Sequence, residues 1–386
     1  MKLQMRACAS RVMFEQRRSH YSTPLLIRML HSKAWFLKLS ALSFLLSATA
    51  LPLKAVADIG DGGLEITLPR EVNRIIETRT CESCTIVVAD LSEADLSAAL
   101  FKGSRFVEAY FVDTTLVEAD LSDAWIQSTN MTGTDLRQAN LQNAYLDLVW
   151  LNGADLTDVD LSSARINDGY FRNANLSGAD LMNTQIRSSD FTGADLTQTD
   201  FTNANIVFAY FVNTDLRNAE LRQATFEEVI YDTRTQFPEG FLIPESGTYL
   251  FAPHSSVAGI RAGSLALSEQ DLTGLDISHA QIGGDFSRAV LNEANFENTN
   301  ANHSDLIEAS LVDARFCNAQ LVGINLTDAN LEGADIRGAD LRRAVVDGTN
   351  FQGAIYNVDT QFPEGFAPAA AGAVFDEASA DCPPLE

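Results

Sequence analysis

A large apolar residue stands at every fifth position from Ile86 to Phe226, through 29 consecutive pentads. A small residue, usually Ala, Ser or Thr, comes two positions earlier in almost every pentad. This period fits neither regular element of secondary structure. On an α-helix, a step of five advances about 140° past a full turn, so the apolar residues would spiral around every face. On a flat strand, the odd spacing would send successive apolar residues to opposite sides.

Each pentad fits instead a short strand that ends in a corner. The large residue and the small residue two positions before it then share the inward face. Four corners close a square coil of twenty residues, and its narrow interior explains why one of the two inward residues must be small. Successive coils stack about 4.8 Å apart through backbone hydrogen bonds. The pattern therefore predicts an all-β solenoid, with about seven coils in this first array.

Asp or Asn is frequent between the small and the large residue, as in Ala94-Asp95-Leu96 and Ala174-Asn175-Leu176. This A-(D/N)-L-x-x pattern resembles the pentapeptide repeat family, and the resemblance covers most of the chain after its leader. Known members form right-handed quadrilateral β-helices, so the resemblance implies two tandem modules of that fold. It implies little about function, because one fold can host many roles.

A second array begins with Leu272, Ile277 and Ile282, and then continues one residue early from Phe286 to Phe351. Gly283 and Gly284 precede the slip. Glycine accepts backbone conformations that other residues avoid, so this pair predicts a tightened corner from which one residue has been lost.

The two arrays end in matching segments, since residues 235–241 and 360–366 share the sequence Thr-Gln-Phe-Pro-Glu-Gly-Phe. Pro and Gly end strand pairing, and Phe237 and Phe362 are expected to cover the last open coil of each array. The chain is therefore expected to hold two capped modules. The predicted parts are an N-terminal cap segment at 58–80 with Val72, Ile75 and Ile76 on one helical face, a first β-helix at 81–241, a connector at 242–268, a second β-helix at 269–366, and a flexible tail at 367–386.

The first 57 residues differ in charge from the rest of the chain. They carry nine Lys or Arg and a single acid, Glu15, and the apolar stretch 39–53 is followed by Ala55-Val56-Ala57. Basic residues before an apolar run and a small-residue cleavage site are typical of an export signal. Residues 1–57 are therefore predicted to be a cleaved export signal, with Met29 as an alternative start and an uncleaved membrane anchor as the alternative role. The mature chain is then expected in the periplasm, outside the cell, or in the lumen of a photosynthetic compartment.

Residues 58–386 hold 51 Asp or Glu against 18 Lys or Arg, and Lys102 is their single lysine. Such a surface repels the phosphates of nucleic acids and anionic lipid head groups. Direct binding of nucleic acid, and membrane insertion after removal of the leader, are therefore not expected. The expected partner is a protein of unknown identity, and the oligomeric state is left open.

Four cysteines follow the leader. Cys81 and Cys84 both fall at inward positions where the first coil opens, which favours a disulfide or a pair of buried thiols. A redox dithiol and half of a metal site are the alternatives, but no second C-x-x-C or His pair completes a zinc site. Cys317 falls at an outward position, and a bridge to Cys382 would tie down the tail.

Residues twenty apart stack on one face of such a coil, which divides the first array into two unlike halves. Two faces form acidic ladders, such as Asp135, Asp155 and Asp195 on one and Asp160, Asp180 and Asp200 on the other. Their simplest interpretation is solubility, and shallow calcium binding and DNA mimicry are alternatives. The other two faces carry aromatic residues and arginines, side chains enriched in interface hot spots. The residues predicted to form a partner-docking face are Tyr110, Trp125, Tyr145, Trp150, Tyr170 and Tyr210. The alternative is that stacked aromatics only stabilise the ladder.

Nothing in the sequence supports catalysis, and no cofactor or metal is expected. His254, His279 and His303 have no spacing that groups them with a nucleophile or a metal ligand, and the uninterrupted pentads leave no loop in which to build a site. Two functions follow as hypotheses. The first is an exported, non-catalytic scaffold or interaction module. The second, implied by the resemblance to family members that bind DNA gyrase, is an acidic mimic of DNA, which requires that the leader is not used for export.

Overall fold

The computed structural model describes residues 69–244 and 247–377. The predicted leader at 1–57, the alternative start at Met29 and Cys382 lie outside these ranges. Within them the chain forms an all-β parallel solenoid preceded by one helix, α1, at Pro69–Thr78. In α1, Ile75 is buried, and Val72 and Ile76 pack against the core of the first coils, so the helix covers their open end.

The first solenoid is built on one parallel eight-stranded sheet whose neighbouring strands are twenty residues apart. The expected coil of twenty residues is therefore confirmed. The strands are β1 Thr85–Val87, β2 Arg105–Val107, β3 Trp125–Gln127, β4 Tyr145–Asp147, β5 Arg165–Asn167, β6 Gln185–Arg187, β7 Asn205–Val207 and β9 Thr225–Glu227. Single parallel bridges such as Asp95↔Thr115, Asp120↔Asn140 and Tyr110↔Asn130 mark the other three faces at the same spacing.

The interior follows the predicted alternation of large and small residues. The central residues from Ile86 to Leu216 are almost completely buried, and so are most of the small residues two positions before them, although Cys84 and Ala94 are partly exposed. Phenylalanines at equivalent positions of successive coils stack on each other, with ring centres 4.8 Å apart for Phe171 and Phe191 and 5.4 Å apart for Phe191 and Phe211. Because every coil supplies the same large and small positions, the core is a continuous column rather than a globular cluster.

Both solenoids end in the same closed cap, as the matching segments indicate. Phe237 packs edge-on against Tyr231 at 5.4 Å, and Phe362 packs edge-on against Tyr356 at 5.4 Å. A buried side-chain oxygen holds each turn. Oδ1 of Asp232 accepts hydrogen bonds from the backbone N–H of Asn213 and Thr235. Oδ1 of Asn357, at the equivalent position, accepts from the backbone N–H of Gly338 and Asp359.

This equivalence predicts different outcomes for two substitutions of Asp232. Asp232→Ala leaves buried N–H donors unpaired and should lower the free energy of unfolding by about 3 kcal/mol. Asp232→Asn keeps the accepting oxygen and loses the ion pair with Arg234, whose side chain is 41 % exposed, so it should cost less than about 1 kcal/mol. Urea unfolding of both variants tests this, and equal losses would mean that the charge rather than the acceptor holds the cap.

The connector predicted for 242–268 has to be revised, because part of this segment forms strands that pair with neighbouring coils. β11, Thr248–Phe251, pairs in parallel with β10, Val229–Asp232, which in turn pairs with β8, Tyr210–Phe211. β12, Arg261–Ala266, pairs with β13, Gln281–Asp285. The backbone groups of these two strands therefore find partners in the coil before or after them.

The two solenoids share the wall formed by β8, β10 and β11. Val229 on β10 belongs to the core of the first solenoid, whereas the next residue, Ile230, belongs to the core of the second. Val212, which follows β8, is also buried in the second core. The second solenoid therefore begins against the outer side of the first one's last coils, although the cap lies between them in sequence.

The slip in the second array is a coil that is one residue shorter. Pairing of β12 with β13 shifts between Ala262 and Leu265, and the following bridges, such as Asp271↔Val290, join residues nineteen apart. Gly284 has φ +147°, and a Cβ at this position would lie 2.2 Å from the carbonyl oxygen of Leu265. The predicted loss of a residue at this corner agrees with these contacts.

The flexible tail predicted for 367–386 is wrong for its first part. Pro368–Ala371 forms a 3-10 helix, and β15, Val374–Phe375, pairs in parallel with β14, Ile355–Tyr356. Asp376 then binds Arg337 at 3.1 Å, and Arg337 is also held by Asp335 at 2.6 Å. The last coil gives this segment backbone partners, and the nearly buried Arg337 gives it a side-chain partner. The five-residue period predicts neither contact.

Candidate partner-binding surface

The residues predicted to dock a partner lie on two adjacent outer columns of the first solenoid and the corner between them, here called the aromatic half. The first column runs along the sheet through β2 to β7 and contains Arg105, Trp125, Tyr145 and Arg165. The second runs along the next face and contains Tyr110, Asn130, Trp150, Tyr170, Asp190 and Tyr210. The backbone register therefore brings these residues together in the order that the coil length predicts.

The aromatic rings are partly occupied by each other. Trp125 lies 4.1 Å from Tyr145 on one side, and the guanidinium of Arg105 lies 5.4 Å from its ring centre. Trp150 and Tyr170 stack in parallel at 6.2 Å. These contacts stabilise the ladder, as the alternative interpretation holds. They leave ring edges, rather than whole faces, for a partner.

Exposed apolar side chains of the first solenoid concentrate on the aromatic half. Those more than a third exposed are Val88, Leu100, Tyr110, Trp125 and Phe208, and all except Leu100 lie on it. Three of its four arginines are also unusual, whereas the fourth, Arg172, pairs with Asp190 at 2.5 Å. Arg105, Arg165 and Arg187 form no ion pair with any residue in the described ranges. An apolar surface with unneutralised arginines has the composition of an interface core.

Tyr210 does not belong to the exposed part of this surface, which corrects its predicted role. Its ring packs against the core of the second solenoid, and its hydroxyl accepts a hydrogen bond of 3.1 Å from the backbone N–H of Gly263. Burial raises the pKa of Tyr210 to about 12. The end of the aromatic column therefore closes the start of the second solenoid, a contact that joins residues 53 apart in sequence.

The acidic half of the first solenoid satisfies its own charges. In most pentads the carboxylate accepts a hydrogen bond from the backbone N–H two residues later, as Asp120 does from Ser122 at 3.0 Å and Asp155 from Thr157 at 3.1 Å. All four of its bases are paired with neighbouring carboxylates; these bases are Lys102, Arg137, Arg217 and Arg222. The side-chain hydrogen bond from Arg137 lowers the pKa of Asp135. These carboxylates close corners as well as keeping the surface charged.

Cys81 and Cys84 are joined in a disulfide at the first coil, beside Ser104. Cys317 was expected to face outward, but it is completely buried and is itself disulfide-bonded. Cys382, its suggested partner, lies outside the described residues. The expectation of an outward position for Cys317 is therefore wrong.

In the described residues we find neither a metal-binding group nor a membrane-spanning helix. Within 69–244 and 247–377, no group of three or more His, Cys, Asp or Glu side chains is placed to hold a metal ion. His254 and His303 each lie over a glycine of the next coil, Gly274 and Gly323, and so fill a corner. In the same part of the chain, no helix has the length and apolar character needed to cross a membrane.

Comparison with known proteins identifies the repeat. The chain matches the family model for pentapeptide repeats in eight copies, at residues 89–124, 119–158, 148–178, 170–203, 179–218, 194–230, 285–323 and 319–355. Together these matches span 89–230 and 285–355, more than half of the chain. The chain belongs to the pentapeptide repeat family.

Several solved structures of pentapeptide repeat proteins are similar to it. HetL of the cyanobacterium Nostoc sp. strain PCC 7120, involved in the regulation of heterocyst differentiation, is 23 % identical over 72 % of this chain and 89 % of HetL, with a TM-score of 0.19. A trypsin-treated form of QnrB1, a plasmid-mediated fluoroquinolone resistance protein, is 18 % identical over 44 % of this chain and 90 % of QnrB1, with a TM-score of 0.33. A protein of the Arabidopsis thaliana thylakoid lumen is 28 % identical over 30 % of this chain and 68 % of its own, with a TM-score of 0.23. A search of the curated proteins found no match.

One part of the aromatic half is not among the residues predicted from the sequence. The corner between its two columns carries Val88, Leu148 and Phe208, each in a left-handed backbone conformation. The predicted columns consist of the residues before each central position, whereas these corner residues come two positions after it. A comparison of positions 60 residues apart would have found them, because Val88, Leu148 and Phe208 stand at that spacing.

Proposed function

We propose that this pentapeptide repeat protein is an exported, non-catalytic interaction module that binds a protein partner through the aromatic half of its first solenoid. The observation that carries this proposal is the separation of the surface into two halves. The acidic half pairs all its bases and uses its carboxylates at corners, whereas the aromatic half exposes apolar side chains and three arginines, Arg105, Arg165 and Arg187, that form no ion pair within the described residues. Exposed Trp, Tyr and Arg are the residue types that dominate binding energy in interfaces.

Export is supported by the composition of residues 1–57 and by the C-x-x-C disulfide, which persists in an oxidising compartment. Sequencing of the mature N-terminus after cell fractionation tests it. The expected result is a chain that starts at Asp58 in the extracytoplasmic fraction. A cytoplasmic chain that still carries Met1 or Met29 would contradict export and would favour the acidic DNA-mimic hypothesis instead.

Partner binding can be tested with a double substitution on the aromatic half. Trp125→Ser with Trp150→Ser should abolish recovery of the partner from an envelope extract, because both rings contribute contact area that Ser cannot replace. The fold should survive, since each lost ring pair contributes only about 0.2–1 kcal/mol.

Leu100→Ser is the matched control, because Leu100 is an exposed apolar residue on the acidic half. This variant should recover the same partner as the unmodified protein. If the tryptophan variant also recovers it unchanged, while circular dichroism shows that both variants are folded, the aromatic half does not bind the partner.

A further inference from the structure

The corner between the two aromatic columns has a composition that the fold does not require. We call it the corner ridge. Its residues stand twenty apart, one in each coil, and all have positive φ; they are Val88, Glu108, Ser128, Leu148, Asp168, Ser188 and Phe208. Asn, Asp and Gly accept this left-handed backbone conformation readily, whereas a branched or bulky side chain is strained there.

Val88, Leu148 and Phe208 are exceptional even within this protein. Among the described non-glycine residues with positive φ, they are the apolar ones larger than alanine, and all three lie on this ridge. Val88 is 37 % exposed and Phe208 is 43 % exposed, so burial does not compensate for the strain. Strain that persists without a packing reason is typical of functional positions.

The ridge repeats every three coils. An apolar residue, an acid and a serine follow each other as Val88, Glu108 and Ser128, and again as Leu148, Asp168 and Ser188, before Phe208 begins a third set. At about 4.8 Å per coil, the three apolar residues are spaced about 14 Å apart along the axis. A partner that fits this ridge must present matching groups at the same spacing.

A second copy of the ridge, turned end for end, presents that pattern. We infer that the protein forms a homodimer in which two first solenoids lie antiparallel, related by a two-fold axis at the height of Leu148. Leu148 then faces the partner's Leu148, and Val88 faces the partner's Phe208. Glu108 faces the partner's Ser188, and Asp168 faces the partner's Ser128, so each carboxylate meets a hydroxyl donor rather than another carboxylate. This inference rests on the proposed role of the aromatic half in binding and names its partner as a second copy of the chain.

The column that contains Trp125, Tyr145 and Arg165 is compatible with the same two-fold axis. Reversal about Tyr145 places Trp125 at the height of the partner's Arg165, and Arg165 has no ion pair within the described part of its own chain. Arg165 then contacts the free edge of the Trp125 ring, and arginine and tryptophan are both enriched in interface hot spots. In a two-fold interface each such contact occurs twice, which doubles its contribution.

One residue on this surface opposes the arrangement. Asp147, at the end of β4, lies at the height of the axis, so two carboxylates approach each other across it. Within its own chain Asp147 accepts a hydrogen bond of 3.1 Å from Gln127. Asp147→Asn removes the like charge and should tighten the dimer, whereas it should have no effect on a surface that binds nothing at this height.

Sedimentation of the purified full-length protein tests association directly. The unmodified protein should dimerise, and Leu148→Asn should weaken dimerisation about tenfold or more, because Leu148 contacts its own copy at the centre of the interface. Asn suits the left-handed backbone at this corner, so circular dichroism should still show a folded protein. Gln198→Asn makes the matched change at a corner of the acidic half and should leave dimerisation unchanged.

Cysteine cross-linking tests the antiparallel geometry. Leu148→Cys alone should form covalent dimers on mild oxidation, because the axis brings this residue to its own copy. Val88→Cys and Phe208→Cys should each form few dimers alone and should cross-link efficiently when mixed. Cross-linking of Val88→Cys with itself would mean a parallel arrangement and would overturn the inference.

The two proposals fail separately. A protein that stays monomeric, yet loses a different protein partner when Trp125 and Trp150 are replaced, overturns the homodimer and leaves the proposed function standing. A monomer whose recovered partners do not change on that replacement overturns both.

Discussion

Replacing Gly284 with alanine should destabilise the protein by about 4 kcal/mol or more. Gly284 has φ +147°, a conformation that side chains disfavour. The added Cβ would also lie 2.2 Å from the carbonyl oxygen and 2.5 Å from the nitrogen of Leu265 in the preceding coil. Because both are backbone atoms, no side-chain rotation relieves the overlap, and the two coils would have to separate at the bulge.

Gly153→Ala is the matched control for this substitution. Gly153 also has positive φ, +65°, but a Cβ there meets no atom within 4 Å. Its replacement should therefore cost only the conformational penalty of about 1 kcal/mol. Denaturant unfolding of both variants gives the comparison, and similar losses would show that the close approach at Gly284 relaxes easily.

Replacing Tyr210 with serine should remove about 3 kcal/mol and should act on the second solenoid rather than the first. The Tyr210 ring packs against the second core, and its hydroxyl accepts the N–H of Gly263. Amide hydrogen exchange should therefore accelerate in β11 and β12 and stay slow in β2 to β7. Tyr110→Ser, a change at a 44 % exposed tyrosine of the same column, should have little effect.

The buried hydroxyl also predicts a dependence on pH. The pKa of Tyr210 in the folded protein is about 12, above the ordinary value of 10.0, so the folded state holds this proton more tightly than the unfolded state. Its contribution to stability is therefore complete below pH 10 and is lost as the pH rises towards 12. Tyr210→Phe keeps the ring and should make unfolding less sensitive to alkali over this range, as thermal melts at increasing pH would show. Unchanged sensitivity would mean that the hydroxyl is accessible to solvent.

The repeat allowed an unusually detailed prediction of the site. The twenty-residue coil, the inward residues and the membership of each outer column all follow from a period of five, and the strand pairing has the same register. The prediction failed where the chain leaves the period. Residues 248–266 contain few pentads in phase, so the sequence predicts a connector there, and the five-residue period does not predict the burial of Cys317 or the pairing of β15 with β14.

Tyr210 shows which properties follow from the sequence and which depend on the tertiary structure. Its position on the aromatic column follows from the chain alone, because hydrogen bonding between coils makes residues twenty apart neighbours wherever no residue is lost or gained. Its burial depends instead on where the second solenoid begins. That start is placed by the pairing of β11 with β10 and by a hydrogen bond between residues 53 apart, contacts that no local spacing encodes. A periodic chain thus determines the inside, the outside and the order of its faces, and the packing of its irregular segments determines which of those faces stay open to a partner.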